Sequence, residues 1–172
     1  MTAGEPSGTS SMRQAGISRK EKVALFIHRE LDKRLTPLGV AVYRRTKGGI
    51  SRPRKVDALL LTTTGRRSGK TRTVVLQFFR DGDDMILAAA NDGGQAHPGW
   101  YHTLVADPDD RVEVMGRTIA VRSTVLPPDE AAVFWPRILE RSPDYERYAR
   151  ATPRTIPIVR LTPAVDGGNS QP

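Results

Sequence analysis

Six short runs of β-branched and apolar residues follow one another after Asp57, and turn-forming residues bound them. Such runs are typical of strands. Short connections between strands favour antiparallel pairing, because a parallel return needs a crossover of roughly a dozen residues or more. The sequence therefore predicts a mainly β, α+β fold, a meandering antiparallel barrel with helices packed outside it. The predicted strands are Ala58–Thr64, Thr71–Arg80, Met85–Asn91, Arg111–Met115, Arg117–Val125 and Ile156–Leu161.

The connections between the predicted strands contain the residues that turns and inserted helices require. Asp81-Gly82-Asp83-Asp84 separates the second and third strands, and Gly116 lies between the fourth and fifth in a tight hairpin. Two helices are predicted between the later strands, at about Gly99–Ala106 and about Pro128–Arg141. The second begins with proline and two acidic residues, which suit the first turn of a helix.

The segment before the first strand has an interrupted helical pattern. Ser18 can cap a helix that starts at the next residue. Apolar residues then recur at three- and four-residue steps from Ile27 to Val42. Pro37 and Gly39 interrupt this face, so we predict two helical pieces within residues 19–46.

The domain organisation follows from length and local composition. A chain of 172 residues fits one domain. That domain is predicted to span residues 18–162. Residues 1–17 and 163–172 are poor in hydrophobes and rich in small polar residues, so a disordered leader and a disordered tail are expected.

The cellular compartment is predicted from cysteine usage and from hydropathy. The chain contains no cysteine, which excludes disulfides, thiolate metal sites and cysteine nucleophiles and suits a reducing compartment. The first twenty residues lack the apolar stretch of a secretory signal, and no window reaches ~18 consecutive apolar residues. A cytoplasmic location is therefore expected.

Charge is distributed unevenly along the chain, whose net charge is +8. Residues 13–72 contain 17 Lys/Arg and 4 Asp/Glu, a net charge of +13, whereas residues 73–172 have a net charge of −4. Such a distribution favours an anionic partner on one side of the molecule, such as phosphate, a polycarboxylate, nucleic acid or an anionic membrane. A basic surface that is merely solvated would show the same pattern.

The connection between the first two predicted strands is the strongest candidate for an anion site. It contains Gly65 and a cluster of cationic, hydroxyl and glycine residues. The cluster comprises Arg66, Arg67, Ser68, Gly69, Lys70 and Arg72. Backbone amides, guanidinium groups and hydroxyls together can hold a phosphate. The alternative is a charged hairpin turn that only contacts water.

A second candidate stretch runs from Asn91 to Tyr101 and contains Gly93-Gly94 and Pro98-Gly99. Its glycines allow the backbone to approach a flat ligand closely. The helix that follows Pro98 could direct free amides at a second anionic group. His97 is a candidate proton donor or orienting group beside such a ligand, although a lone loop histidine is more often structural.

Aromatic residues form a third candidate cluster after the long helix. Tyr145 and Tyr148 are three residues apart, so in a helical turn both phenols would lie on the same face. They would offer apolar walls and hydrogen-bonding tips to a planar substrate, or would belong to ordinary core packing. Phe134 and Trp135 are expected to be core residues.

The sequence does not match a P-loop, a serine nucleophile elbow or a metal site. Gly65 and Gly69 are one residue too close for a P-loop, and a strand rather than a helix follows them. Ser68 does not lie in a Gly-x-Ser-x-Gly elbow. No metal site is expected, because His97 and His102 are five residues apart on a helix and no carboxylate pattern completes a shell.

An ordered set of short motifs covers roughly residues 40–162. The motifs are Tyr43-Arg44-Arg45-Thr46-Lys47-Gly48-Gly49, the Leu-Leu-Thr-Thr-Thr-Gly-Arg-Arg-Ser-Gly run at 60–69, Arg80-Asp81-Gly82-Asp83, Gly93-Gly94, His97-Pro98-Gly99-Trp100-Tyr101 and Ile156-Pro157-Ile158-Val159. In this order they resemble the deazaflavin-dependent nitroreductase family, split-barrel oxidoreductases that use coenzyme F-420. The resemblance implies a barrel of the FMN-binding split-barrel type.

The resemblance also implies a function and the residues that perform it. A reduced deazaflavin would lie across the barrel and pass its hydride to a conjugated acceptor, namely a quinone, an enone or a nitro compound. Its phosphate and polyglutamate tail would lie along the basic connection, held by Arg66, Arg67, Ser68, Lys70 and Arg72. Gln77, Ala89, Asn91 and Trp100 would lie near the ring system, and Tyr145 and Tyr148 would line the substrate side as the catalytic pair.

Four positions depart from the family pattern. Arg67 replaces a common lysine, which should preserve anion binding. Asn91 stands where nitro-reducing members have serine, Thr103 replaces a frequent asparagine, and Ser142 stands where a further tyrosine occurs. These three differences argue against specificity for nitro compounds.

Two other functions are compatible with the predicted fold and charge. The same fold could bind FMN instead of the deazaflavin, or the basic half could belong to a non-enzymatic anion-binding protein. Nucleic acid is not an expected partner, because aromatic residues are only 6% of the chain and no recognition motif accompanies the charge. The expected partner is a small-molecule acceptor, and the protein is expected to be a monomer or homodimer. The basic N-terminal helix could contact an anionic membrane peripherally or cover one end of the barrel.

Overall fold

The structure is a computed structural model that describes residues 37–48, 57–65 and 69–164. The helix predicted to follow Ser18 lies outside the described residues, as do the predicted leader and most of the tail. Arg66, Arg67 and Ser68 also lie outside them.

Six antiparallel strands form a closed barrel in the described part of the chain. The strands are β1 (Asp57–Thr64), β2 (Thr71–Asp81), β3 (Asp84–Ala88), β4 (Asp109–Val114), β5 (Arg117–Val125) and β6 (Ile158–Pro163). Their order around the barrel is β1-β2-β3-β6-β5-β4, and β4 pairs with β1 to close it. The predicted six-stranded antiparallel barrel is thereby confirmed.

The path of the chain is not the simple meander that was predicted. Strand β3 pairs with β6, and β4 returns to the opposite side of the sheet to pair with β1. The connection from β3 to β4 contains helix α2 (Gly99–Ala106). Trp100 and Leu104 of this helix are buried in the same cluster as residues of the barrel interior. Helix α2 therefore contributes two side chains to the core, while Val105 of the same helix is 56% exposed.

Two predicted strand boundaries also need correction. Strand β3 ends at Ala88 rather than Asn91, because Asn91, Asp92 and Gly93 have φ angles of +50°, +50° and +75°. Those angles are incompatible with an extended strand, and the chain forms a short 3-10 turn there. Strand β6 begins at Ile158 rather than Ile156, after Pro157, which has no N–H to donate to the ladder.

Helices α3 (Pro128–Arg141) and α4 (Asp144–Ala151) cover the outer face of the barrel. Phe134 and Ile138 of α3 are buried against Ile86 and Ile158, which point outward from β3 and β6. The half-buried Trp135 packs against the same cluster. The prediction that Phe134 and Trp135 are core residues is confirmed.

The register of the strands divides the barrel into two ends. At one end lie the connection after Thr64, the residues after Ala88, and the residues before Ile158, since Ala88 pairs with Ile158 and Thr64 with Thr71. We call this the loop end. The other end carries the β2–β3 turn and the β4–β5 turn, and we call it the hairpin end.

The described part of helix α1 covers residues 37–46. Its Tyr43 is 1% exposed and reaches the hairpin end of the barrel. The phenol donates a hydrogen bond to the carbonyl of Ala58 at 2.8 Å and accepts one from the Met115 amide at 3.3 Å. This part of the N-terminal segment therefore packs on the barrel.

Removing the Tyr43 hydroxyl is expected to loosen this attachment. Tyr43→Phe keeps the ring but leaves two backbone groups without their partner, which costs about 1–3 kcal/mol of unfolding free energy. Chemical denaturation monitored by circular dichroism measures the loss. Stability equal to wild type would show that water replaces the phenol at no cost.

None of the helices in the described ranges is both long enough and apolar enough to cross a membrane.

Candidate functional site

The β1–β2 connection forms a tight loop at the loop end. The Gly65 amide donates to the Lys70 carbonyl at 2.9 Å, and the Gly69 amide donates to the Gly65 carbonyl at 2.7 Å. Gly69 has a φ of +62°, which explains why glycine occupies this turn. Lys70 and Arg72 are exposed beside the turn. Lys70 and Arg72 are the predicted cations that the structure describes, and both therefore lie at the loop end, which forms the mouth of the barrel. In sequence they adjoin the segment that contains Arg66 and Arg67.

The segment after β3 crosses the same end. Ala89 is fully buried and Trp100 is 9% exposed, and both belong to the interior cluster. The side-chain amide of Asn91 donates to the Ala96 carbonyl at 2.9 Å, which stabilises the bend of the chain. We call residues 90–97 the crossing loop. The predicted site residues of this stretch thus have different surroundings. Asn91 lies in the crossing loop, whereas Ala89 and Trp100 lie in the core on either side of it.

Arg154 holds the crossing loop in place, and sequence reasoning did not identify it. Its guanidinium donates to the Ala90 carbonyl at 2.7 Å, to the Gly94 carbonyl at 3.0 Å and to Nδ1 of His97 at 2.9 Å. The Thr152 hydroxyl adds a bond to the same Gly94 carbonyl at 3.2 Å. Nothing in the local sequence Thr152-Pro153-Arg154 signals these contacts, because the partners are about sixty residues away along the chain.

His97 is held in one protonation state by its surroundings. Burial lowers the pKa of His97, and the neighbouring Arg154 guanidinium and His102 lower it further. Because Nδ1 accepts a hydrogen bond from Arg154, the proton of the neutral ring lies on Nε2. The ring of Tyr101 lies 4.8 Å from that of His97. His97 is therefore a neutral donor at physiological pH.

Helix α4 rests directly on the crossing loop at Gly93. A Cβ atom on Gly93 would lie 2.5 Å from the Cβ of Ala151 and 3.1 Å from the carbonyl oxygen of Tyr148. Only glycine fits this contact, and its positive φ adds a second requirement. The close approach places the aromatic residues of α4 beside the crossing loop.

Tyr145 and Tyr148 form an aromatic group on the outer face of β2. Their ring centroids are 5.6 Å apart, and the Tyr145 ring lies 5.9 Å from Phe79 in an edge-on contact. The prediction that both phenols share one helical face is confirmed. Burial raises the pKa of both tyrosines, and nearby Asp92 raises each further. Both phenols are consequently protonated at neutral pH and able to donate.

Gln77 lies on the same outer face as this aromatic group. Its side-chain amide donates to the hydroxyl of Ser142, at the junction of α3 and α4. The contact joins β2 to the helical pair. Gln77 is therefore close to the tyrosines rather than to Ala89 and Trp100, which face the interior.

Three of the predicted groups meet at the loop end and its outer rim. The cations of the β1–β2 connection lie at the mouth, the crossing loop spans it, and the phenol pair adjoins that loop through Gly93. Such an arrangement can bind an anion at one point, bring backbone against a flat ring and donate protons nearby. In the described residues no group of three or more His, Cys, Asp and Glu side chains could hold a metal ion.

Comparison with known proteins gives consistent matches. Residues 36–163 fit the family of F420H2-dependent quinone reductases. An F420H2-dependent quinone reductase from Mycobacterium tuberculosis is 34% identical over 145 residues, which cover 81% of this chain and 97% of that protein. Among solved structures, an F420H2-dependent reductase is 29% identical with a TM-score of 0.55, covering 61% of this chain and 93% of its own. A structure described as a domain-swapped dimer matches with the same identity and TM-score and 79% coverage of its chain.

Proposed function

Since the chain belongs to the family of F420H2-dependent quinone reductases, we propose that its active site is the loop end of the barrel. The chain is an oxidoreductase that uses reduced coenzyme F-420 and transfers a hydride to quinone-type acceptors. The predicted resemblance and the split-barrel type are thereby confirmed. The observation that supports the location is the meeting of the basic β1–β2 connection, the crossing loop and the phenol pair.

The chemistry of the loop end fits the cofactor. Lys70 and Arg72 are exposed at the mouth, and Arg66 and Arg67 lie in the same connection. This density of cations suits a phosphate and a carboxylate tail. The half-buried aromatic rings of α4 suit a flat ring system. We propose that Gly69, Lys70 and Arg72 hold the anionic part.

The catalytic contribution of the protein is orientation and proton donation. The bound cofactor supplies the hydride. We propose that Tyr145 and Tyr148, protonated at neutral pH, donate to the oxygen that gains negative charge on the acceptor. The apolar surroundings of the rings, including Phe79, would exclude water from the reacting atoms.

Titration with two cofactors tests the proposed function. Fluorescence or absorbance titrations with coenzyme F-420 and with FMN should show saturable binding of the deazaflavin and none comparable for FMN. Oxidation of reduced F-420 should then require protein and a quinone. Tight FMN binding without deazaflavin binding would contradict the proposal.

Acceptor preference is proposed from the positions that depart from the nitro-reducing pattern. The Asn91 amide is used within the crossing loop, and the Ser142 hydroxyl is used by Gln77. Asn91 and Ser142 thus each have one hydrogen bond inside the protein, and their side chains differ in size and shape from the serine and tyrosine at those positions in the family pattern. We propose that quinones are reduced faster than enones or nitro compounds, and a comparison of kcat/KM for the three classes tests this.

Loss of the Tyr148 hydroxyl is expected to slow the reaction. Tyr148→Phe preserves the ring contact with Tyr145 but removes a proton donor, so kcat should fall by about 10- to 100-fold. Affinity for coenzyme F-420 should change little. The same measurement on Tyr145→Phe shows which of the two phenols donates the proton. Full activity in both single variants would contradict the proposal and indicate that solvent delivers the proton.

The location and assembly of the protein stay predictions. We propose that the protein is cytoplasmic and that any membrane contact is peripheral, through the basic segment before residue 37. Flotation with anionic vesicles tests that contact. Sedimentation analysis distinguishes monomer from homodimer.

A further inference from the structure

Arg154 holds the crossing loop from outside at three points, and the Thr152 hydroxyl adds one bond at Gly94. The Arg154 guanidinium makes three hydrogen bonds at 2.7–3.0 Å, two to carbonyls of the loop and one to the His97 ring. Most other arginines of the described part that make side-chain contacts form ion pairs with Asp or Glu. Examples are Arg80 with Asp57 and Arg137 with Asp81. Arg154 instead directs its fork at neutral acceptors of one loop.

We propose that Arg154 is a positioning residue of the cofactor site, which fixes the crossing loop and holds His97 as the tautomer with its proton on Nε2. This inference rests on the proposed function, because the crossing loop belongs to the site proposed for coenzyme F-420. Arg154 itself touches the loop and not the reacting atoms. It acts through His97 and through the backbone at Ala90 and Gly94.

Through these hydrogen bonds Arg154 fixes the conformation of the crossing loop and favours the neutral form of the His97 ring. Two carbonyls four residues apart, at Ala90 and Gly94, accept from different nitrogens of one rigid guanidinium, which sets their separation. Nδ1 of His97 accepts from a third nitrogen, Nη1. A histidine that accepts at Nδ1 is neutral and donates only through Nε2–H.

The other groups around His97 act in the same direction. Tyr101 and His102 of α2 lie with ring centroids 4.8 Å and 5.9 Å from the His97 ring, and Arg154 faces it from the segment before β6. Both Arg154 and His102 oppose a positive charge on His97, and burial opposes it as well. At neutral pH the loop thus offers a neutral hydrogen-bond donor, Nε2–H, to a carbonyl or phosphate of the cofactor.

Nuclear magnetic resonance of the cofactor-free protein tests the first step. With the imidazole nitrogens labelled, the wild-type His97 ring should show the Nε2–H tautomer at neutral pH. The His97→Gln variant assigns the signal among the three histidines. A wild-type ring that is protonated on Nδ1 would overturn the proposal without any variant of Arg154.

Substitution of Arg154 tests whether it is the cause. In Arg154→Met the pKa of His97 should rise toward the ordinary value of about 6.5 and both tautomers should be populated. Arg154→Lys keeps the charge but loses the fork, so it should restore the lowered pKa in part without restoring the single tautomer. The matched control is Arg150→Met, an exposed arginine of α4, which should leave the His97 titration unchanged. An unchanged titration in Arg154→Met would overturn the proposal. If that variant does not fold, a His97 ring that still shows only the Nε2–H tautomer in Arg154→Lys would overturn it instead.

The pH dependence of cofactor affinity provides the readout that a merely structural role would not change. The ratio of Kd values, variant over wild type, cancels the titration of the cofactor itself. For Arg154→Met this ratio should fall by roughly fivefold between about pH 8 and about pH 5.5, because His97 gains a charge near an anionic ligand. Adding His97→Gln should abolish the change. A ratio independent of pH would overturn the link to the site, whereas absence of any F-420 binding by wild type would instead overturn the proposed function and leave the resonance result standing.

Discussion

Replacing Arg66 and Arg67 together with glutamine is expected to weaken binding of coenzyme F-420 by about 100-fold, as each charge-assisted contact with phosphate or carboxylate contributes about 1.5 kcal/mol. The turnover number at saturating cofactor should stay within a few-fold of wild type, because the role proposed for these side chains is to bind the anionic part and not the reacting ring. Fluorescence titration gives the Kd, and initial rates at high cofactor concentration give kcat.

A charge-matched control separates a local contact from the overall field of the molecule. Arg45 and Arg117 are both exposed and lie toward the hairpin end of the barrel, on α1 and at the start of β5. Their double replacement with glutamine removes the same charge and should change the Kd by less than about threefold, since exposed charges farther away than about 10 Å are largely screened. Equal losses in the two double variants would mean that the basic connection attracts the cofactor without holding it.

Replacing Gly93 with alanine is expected to lower the free energy of unfolding by about 3 kcal/mol, and the melting temperature by about 9 °C. Two effects combine. Alanine is strained at a φ of +75°, and its Cβ would lie 2.5 Å from the Cβ of Ala151. The collision forces α4 away from the crossing loop, so activity with quinones should fall together with stability.

Gly82 provides the matched control for this substitution. It has a φ of +61°, and a Cβ added there meets nothing within 4 Å. Gly82→Ala should therefore cost only the backbone strain, about 1 kcal/mol. The double variant Gly93→Ala with Ala151→Gly removes the closest contact and should recover part of the stability. A Gly93→Ala protein as stable as Gly82→Ala would show that α4 does not rest tightly on the loop.

The strands were predictable because their signal is local. Apolar alternation and turn residues identified all six, and Met115-Gly116, with φ angles of +51° and +78°, forms the tight hairpin that the sequence indicated. The order of the strands was not predictable in this way. It requires the long-range pairings of β3 with β6 and of β1 with β4, and no local pattern of residues indicates which distant strand is the partner.

In the candidate site, too, features with a local sequence signal were predictable and long-range contacts were not. The shared face of Tyr145 and Tyr148 follows from helical spacing alone. Gly93 was expected to let the backbone approach a flat ligand, whereas the group that lies against it is helix α4. The partner of His97 could not be found, because Arg154 lies fifty-seven residues away in sequence and belongs to no motif. Resemblance to a family identified the cofactor, but it did not identify the side chain that shapes the crossing loop.

Closure of the barrel has a consequence for how copies of this protein can associate. Every strand of the described part has a neighbour on both sides, from β1 beside β4 around to β5 beside β6. The ladders are uneven, however, because β2 pairs with β3 only at Phe79, Arg80 and Asp81, and most of its length pairs with β1 alone among the described strands. A strand of another copy could therefore add only along such partly paired stretches, since no strand of the described part lies wholly at an edge.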